Sequence, residues 1–166
     1  MLPQTVQSPT AYKLGMRRLA TGVTVISTEY AGKQFGLLST SMTSVSAQPA
    51  VLLICVNRSA SAHAPIEQSG RFCVNVLRRG DEELGKRFSS PENRDSRFQD
   101  RRWDKLTTGA PALVGCLVSF DCFVKRALQA DSHTVFFGSV AEVRLWGAAI
   151  DPLLYWDGSY RDCISS

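Results

Sequence analysis

The spacing of apolar and polar positions changes several times along the 166 residues of the chain. "GVTVIST" (22–28) alternates, "EYAGK" (29–33) carries turn residues, and "QFGLLSTSM" (34–42) returns to strand character. Successive side chains of a strand point to opposite faces, so these pieces predict a β-hairpin. "AVLLICV" (50–56) is apolar throughout and rich in branched residues, which predicts a central strand. "RFCVNVL" (71–77) predicts another, with Phe72, Val74 and Val76 on one face. "PALVGCLVSFDCFVKRAL" (111–128), "HTVFFGSVAEVRLW" (133–146) and "PLLYWDGSYRD" (152–162) supply at least three more.

Helical signals are short. Thr10 is placed to cap a helix running to about Ala20, with Gly22 ending it. The loop "NRSAS" leads into a second helix from about Ala62 to Gln68, closed by Gly70, and "DEELGKRFSS" (81–90) reads as a third, amphipathic one. Residues 1–9 read as a flexible tail and "PENRDSRFQDRRWDK" (91–105) as a long surface excursion. Seven or so strands with three short helices imply a single, mainly β domain over 10–166, an antiparallel barrel with helical covers.

Composition narrows the class. Hydrophobic residues make up 44% and charged residues 20%, ordinary for a globular protein and too apolar for disorder. The net charge of +4 slightly favours anionic ligands but falls short of a nucleic-acid-binding signature. Nine of the nineteen basic residues lie in 78–105, but seven of the fifteen acidic ones alternate with them, and no aromatic stacking platform for RNA accompanies them. Apolar runs are strand-sized, so no membrane span is expected. The first residues lack the apolar core of a secretory signal. Cysteines 55, 73, 116, 122 and 163 form no CxxC pair and are odd in number, which predicts reduced thiols in a cytoplasmic protein. Only His63 and His133 are present, and no metal-ligand spacing exists.

Candidate chemistry concentrates in one stretch. "GDEELGKR" (80–87) has phosphate-loop spacing but ends in Arg87 where Ser or Thr must bind magnesium, and its acids oppose a phosphate. Residues 35–61 instead hold eight Ser or Thr in 27 positions, with very few charges. Ser39, Ser41 and Thr43 would share one face of a strand, and Thr40, Met42 and Ser44 the other. Such a stretch is either a solvent-facing edge with hydroxyl turns or a polar, uncharged wall for a flat heteroaromatic ligand such as a flavin. In the loop that follows, Ser59 and Ser61 with Arg58 suit a phosphate at a helix N-terminus, although Ser61 serves a plain cap equally well. His133 stands at the start of a strand, a position that by itself assigns no chemistry.

Taken in order, "RRLATGVTVIST" (17–28), "GLLSTSMTSVSAQPAVLLICVNRSASAH" (36–63), "SGRFCVNVL" (69–77), "ELGKRFSS" (83–90), "DSHTVFFGSV" (131–140) and "PLLYWDGSY" (152–160) resemble the short-chain flavin reductase family. The resemblance implies the FMN-binding split-barrel fold, antiparallel and Greek-key-like, and a homodimer. It implies NAD(P)H-dependent reduction of FMN or FAD by hydride transfer to flavin N5, with NADH or NADPH as donor. Reduced flavin would then pass to a separate monooxygenase. By the same resemblance Ser39, Thr40, Ser41, Met42, Thr43 and Ser44 line the isoalloxazine and ribityl chain, and Asn57, Arg58, Ser59 and Ser61 hold the phosphate. Lys86, Arg87 and Phe88 lie near the phosphate or adenylate end, His133 faces the nicotinamide, and Tyr160 borders the pocket. The chain departs from the family pattern at Met42, at Pro49-Ala50 and at Asp131-Ser132. A flavin-binding electron-transfer or storage protein without nicotinamide turnover, or a barrel that serves only as an interaction module, are the alternatives.

Overall fold

Hairpins build most of the molecule, whose computed structural model describes residues 8–148 and 151–162. Helix α1 (Pro9–Met16) is followed by β1 (Thr21–Gly22) and by the hairpin of β2 (Thr24–Tyr30) and β3 (Lys33–Ser39). Its two-residue turn puts Ala31 at φ 51° and Gly32 at φ 74°, the left-handed pair that matches the twist of the flanking strands. Next come β4 (Thr43–Ala47), β5 (Ala50–Asn57), α2 (His63–Ser69) and β6 (Arg71–Val76). Helix α3 (Glu82–Ser89) leads through a kinked 3₁₀ segment, Pro91–Ser96, to the short pair β7 (Trp103–Lys105) and β8 (Pro111–Leu113). Two 13-residue strands, β9 (Val118–Ala130) and β10 (His133–Leu145), form the longest hairpin. A last hairpin joins β11 (Leu153–Trp156) to β12 (Ser159–Asp162) through Asp157-Gly158.

Every ladder is antiparallel, as expected, and the main sheet has seven strands in the order β3-β2-β6-β9-β10-β5-β4. Its two edges, β3 and β4, are joined by residues 40–42 alone. Three residues span at most about 11 Å, so the sheet curls until the end of β3 comes close to the start of β4, while the two edge strands form no ladder with each other. The result is a barrel with one open seam.

Ile26, Ile54, Val56, Phe72, Val74 and Phe136 fill the interior, with Ala62 and Ile66 plugging one end. A second cluster, including Val23, Val25, Leu77, Leu84, Phe88 and Leu153, lies between the outer face of the sheet and α3. Between strands, buried Asn75 donates to Val25 O and Ser27 Oγ and accepts from Leu113 N and Ser119 Oγ, locking β2, β6 and β8 to β9.

Four expectations need correction. The cap of α1 is Ser8, whose hydroxyl accepts from Ala11 N at 3.1 Å, with Pro9 following it. The helix stops at Met16 rather than Ala20 because the chain turns to engage the last hairpin, where Asp157 N donates to Arg17 O at 3.0 Å; Gly22 belongs to β1. Of the expected tail, Ser8 and Pro9 therefore belong to α1, while residues 1–7 fall outside the described residues. The excursion 91–105 is not all surface, since Phe98 and Trp103 pack against Phe88 at ring separations of 5.3 and 5.8 Å and Arg97 is buried. Isolated aromatics can anchor a segment that has no periodicity at all.

Cys55, Cys73, Cys116 and Cys122 are free thiols, and Cys163 lies outside the described residues. Burial pushes Cys116 up to about 11 and Cys122 up to about 12 and raises Cys73 well above the ordinary thiol range, so these three are inert rather than nucleophilic.

Candidate functional site

One cleft of about 660 Å³ opens beside the seam, within the roughly 300–1,000 Å³ typical of small-molecule sites. Leu38, Ser39 and Thr40 at the end of β3 form one wall, and Ala60 and Ser61 ahead of α2 form another. Lys86 and Phe88 come from α3, Arg94 and Arg97 from the segment after it, and Tyr155 and Tyr160 from the β11–β12 hairpin. The hairpin is held in place at both ends. Arg17 donates to Asp157 O at 2.9 Å and pairs with its carboxylate at 3.2 Å. Tyr160 lies so close to α3 that a Cβ at Gly85 would sit 2.8 Å from its hydroxyl. Tyr155 and Tyr160 meet edge to face at 5.7 Å, and burial raises the Tyr160 phenol above its ordinary range, keeping it protonated.

Charge in the cleft is of one sign. Lys86, Arg94 and Arg97 line it, and among the described residues no carboxylate does. Lys86 is offset from outside by Glu83, at 2.6 Å one helical turn away. That pairing also shows why Gly85-Lys86 is ordinary helix and no phosphate loop. The remaining lining is apolar, aromatic or hydroxylic, which suits a planar ring system with an anionic tail.

Six of the anticipated residues converge here: Ser39, Thr40, Ser61, Lys86, Phe88 and Tyr160. Others are placed elsewhere. Ser41 spends its hydroxyl on the seam, donating to Cys55 O at 3.1 Å, accepting from Cys55 N at 3.3 Å and touching Ser39 Oγ at 2.9 Å. Met42 packs against the barrel interior, and Thr43 and Ser44 are exposed on β4. Arg87 pairs with Asp100. Asn57, Arg58 and Ser59 line a second depression with His63, Glu67, Asp131 and Ser132, and there Asn57 Oδ1 accepts from Ser59 N and Oγ at 2.9 and 2.8 Å. His133 faces Asn57 across the β10–β5 ladder, half-buried, with Nδ1 2.8 Å from Ser132 Oγ. Arg94, Arg97 and Tyr155 were not anticipated. Phe98, an apolar residue in the middle of a charge run, is the one sequence signal that the neighbouring Arg97 is drawn inward.

The sequence matches the flavin reductase like domain family over residues 16–163. The chain belongs to that family. This flavin reductase-like chain is 41% identical over 151 residues, 91% of its own length and 74% of the relative's, to the FMN reductase (NADH) RutF of Methylorubrum populi. Its fold superimposes on the NADH:FAD oxidoreductase of Streptomyces globisporus, solved with NAD and FAD fragments, with a TM-score of 0.86 at 28% identity, covering 96% of each chain. It is likewise similar to nitrilotriacetate monooxygenase component B of Mycobacterium thermoresistibile, with a TM-score of 0.85 at 29% identity over 95% of this chain and 89% of that one.

Proposed function

We propose that the chain is an NADH:flavin oxidoreductase that reduces FMN, and FAD alongside it, and hands the reduced flavin to a separate oxygenase. The observation that carries the reading is the cleft itself: hydroxyls and aromatic rings on its walls, two arginines at one end and, among the described residues, no ion pair for either and no carboxylate lining it. A flavin nucleotide has the matching parts, a flat polar ring system and a phosphate tail. When bound, flavin supplies the redox chemistry, accepting a hydride from the reduced nicotinamide.

The chain's own residues bind and orient. Ser39 and Thr40 offer hydroxyls and backbone groups to the polar edge of the ring, Tyr155 and Tyr160 wall its apolar side, and Ser61 reaches the ribityl and phosphate end. Lys86 adds positive charge at the mouth. His133 keeps the role toward the nicotinamide that the family resemblance gives it. Its Nδ1 is fixed by Ser132, and Nε2 has no partner among the described residues. Stacking and orientation of two bound reactants account for most of what a protein must add to such a transfer. We further infer a homodimer, supported by an uncovered apolar sheet face, and a cytoplasmic location, supported by four free thiols. Among the described residues no helix is long and apolar enough to cross a membrane.

The test is a steady-state assay that crosses NADH and NADPH with FMN and FAD. NADH consumption should saturate with added FMN. Flavin binding without NADH loss would instead identify a storage or electron-carrying protein, and no flavin binding would overturn the reading. In the same assay His133→Ala should raise the KM for NADH while leaving the FMN dissociation constant unchanged; unaltered kinetics would remove His133 from the reaction.

A further inference from the structure

Arg97 is a buried cation with no anion beside it among the described residues. It is 6% exposed, its Nη1 donates to Gly36 O at 2.6 Å and its Nη2 to Ser90 O at 2.8 Å, while Nε is buried with no partner. Its guanidinium carbon lies 5.7 Å from the centre of the Phe88 ring. Burial, together with the nearby charge of Arg94, lowers its pKa. Arg94 lines the same cleft and has no ion pair among the described residues. A buried guanidinium satisfied only by carbonyls is unfavourable unless something negative approaches it. Most of the other arginines near the cleft are engaged, since Arg17 is held by Asp157 and Arg87 by Asp100. Arg58 lies in the other depression.

We propose that Arg94 and Arg97 form a phosphate site at the α3 end of the cleft, separate from Ser61, which takes a phosphate group of a bound nucleotide. The two carbonyl bonds of Arg97 tie β3 at Gly36 to Ser90 at the end of α3, so the guanidinium is already oriented before any ligand arrives. A planar guanidinium presents paired N–H groups to phosphate oxygens, which a lysine cannot do. The proposal rests on the flavin reading for the identity of the nucleotide, whose phosphate is either the single one of FMN or the diphosphate of FAD and NADH.

Dissociation constants for riboflavin, FMN, FAD and NADH, measured by fluorescence on the wild type, Arg94→Ala and Arg97→Lys, test it. Arg94→Ala alters only an exposed side chain, so folding is not at stake for that variant. The phosphorylated ligands should weaken on the order of tenfold while riboflavin holds steady. Weakening of FMN along with the dinucleotides places the FMN phosphate there, and weakening of FAD and NADH alone places the diphosphate there. Equal loss for riboflavin, or no loss for any ligand in both variants, overturns the proposal. Inorganic pyrophosphate separates this idea from the flavin reading: thermal stabilisation of the wild type that Arg94→Ala abolishes would uphold the anion site even if no flavin bound.

Discussion

The Ser41 hydroxyl bonds to both backbone groups of Cys55 where β5 has no neighbour on its seam side, because the β4–β5 ladder reaches only as far as Thr43 and Leu53. One side chain thus replaces a missing stretch of strand and fixes Ser39 and Thr40 at the edge of the cleft. Ser41→Ala leaves a half-buried N–H and C=O to find water, a loss of about 2 kcal/mol in urea unfolding at about 1 kcal/mol per bond. It should also weaken riboflavin and FMN to the same extent, since the wall that moves faces the ring. Ser41→Thr, which keeps the hydroxyl, should recover most of both. Wild-type affinity in Ser41→Ala would show that the seam holds without the pin. The richness of this stretch in hydroxyls was legible in the sequence, but their directions were not. Strict alternation would put Ser39, Ser41 and Thr43 on one face, yet the chain leaves strand geometry at Ser39, and the register shifts again between Ser44 and Ser46.

Elements were easier to foresee than their contacts. The hairpin announced by the Ala31-Gly32 turn and the Gly70 stop of α2 form where expected, because local backbone conformation decides them. The docking of α3 onto the last hairpin depends on residues 75 positions apart, Gly85 and Tyr160, and no local pattern encodes it. Two glycines separate packing from function at this scale. At Gly138 a Cβ would lie 2.5 Å from Phe72 Cζ and 2.9 Å from Cys122 Cβ, deep in the barrel. Gly138→Ala should therefore cost about 1–3 kcal/mol by overpacking while the folded protein keeps its FMN affinity. Gly85→Ala meets only the Tyr160 side chain, its hydroxyl at 2.8 Å and Cζ at 3.2 Å, and the better helix propensity of alanine, worth up to about 1 kcal/mol, offsets the crowding. Its stability should barely change, while displacement of Tyr160 lowers FMN affinity severalfold. Thermal melts paired with flavin titrations read both, and the idea fails if Gly85→Ala binds as the wild type does.

At the scale of the whole molecule, the run "AVLLICV" is apolar at every position, a pattern of strands covered on both faces. Among the described residues of one chain only one face of β5 is fully covered. Leu52, Ile54 and Val56 point into the barrel, while Leu53 and Cys55 on the opposite face stay half-buried. Register extends that outer face across the sheet, because directly paired residues project to the same side. Cys55 pairs with Val135 and Val135 with Leu128, Leu53 pairs with Phe137, and Phe123 lies opposite Ser139. Phe123 and Leu128 remain 48% and 47% exposed. A second copy related by a two-fold axis would set this patch against itself and cover the face that the sequence pattern marks as interior. Leu128→Glu puts an unpaired carboxylate into such an interface twice over, so the dimer dissociation constant should rise by at least about a hundredfold. Sedimentation equilibrium should find a dimer for the wild type and a monomer for the variant at low micromolar concentration. A wild type that sediments as a monomer at tens of micromolar would leave the apolar face for a different partner, with the reduced-flavin acceptor the first to try.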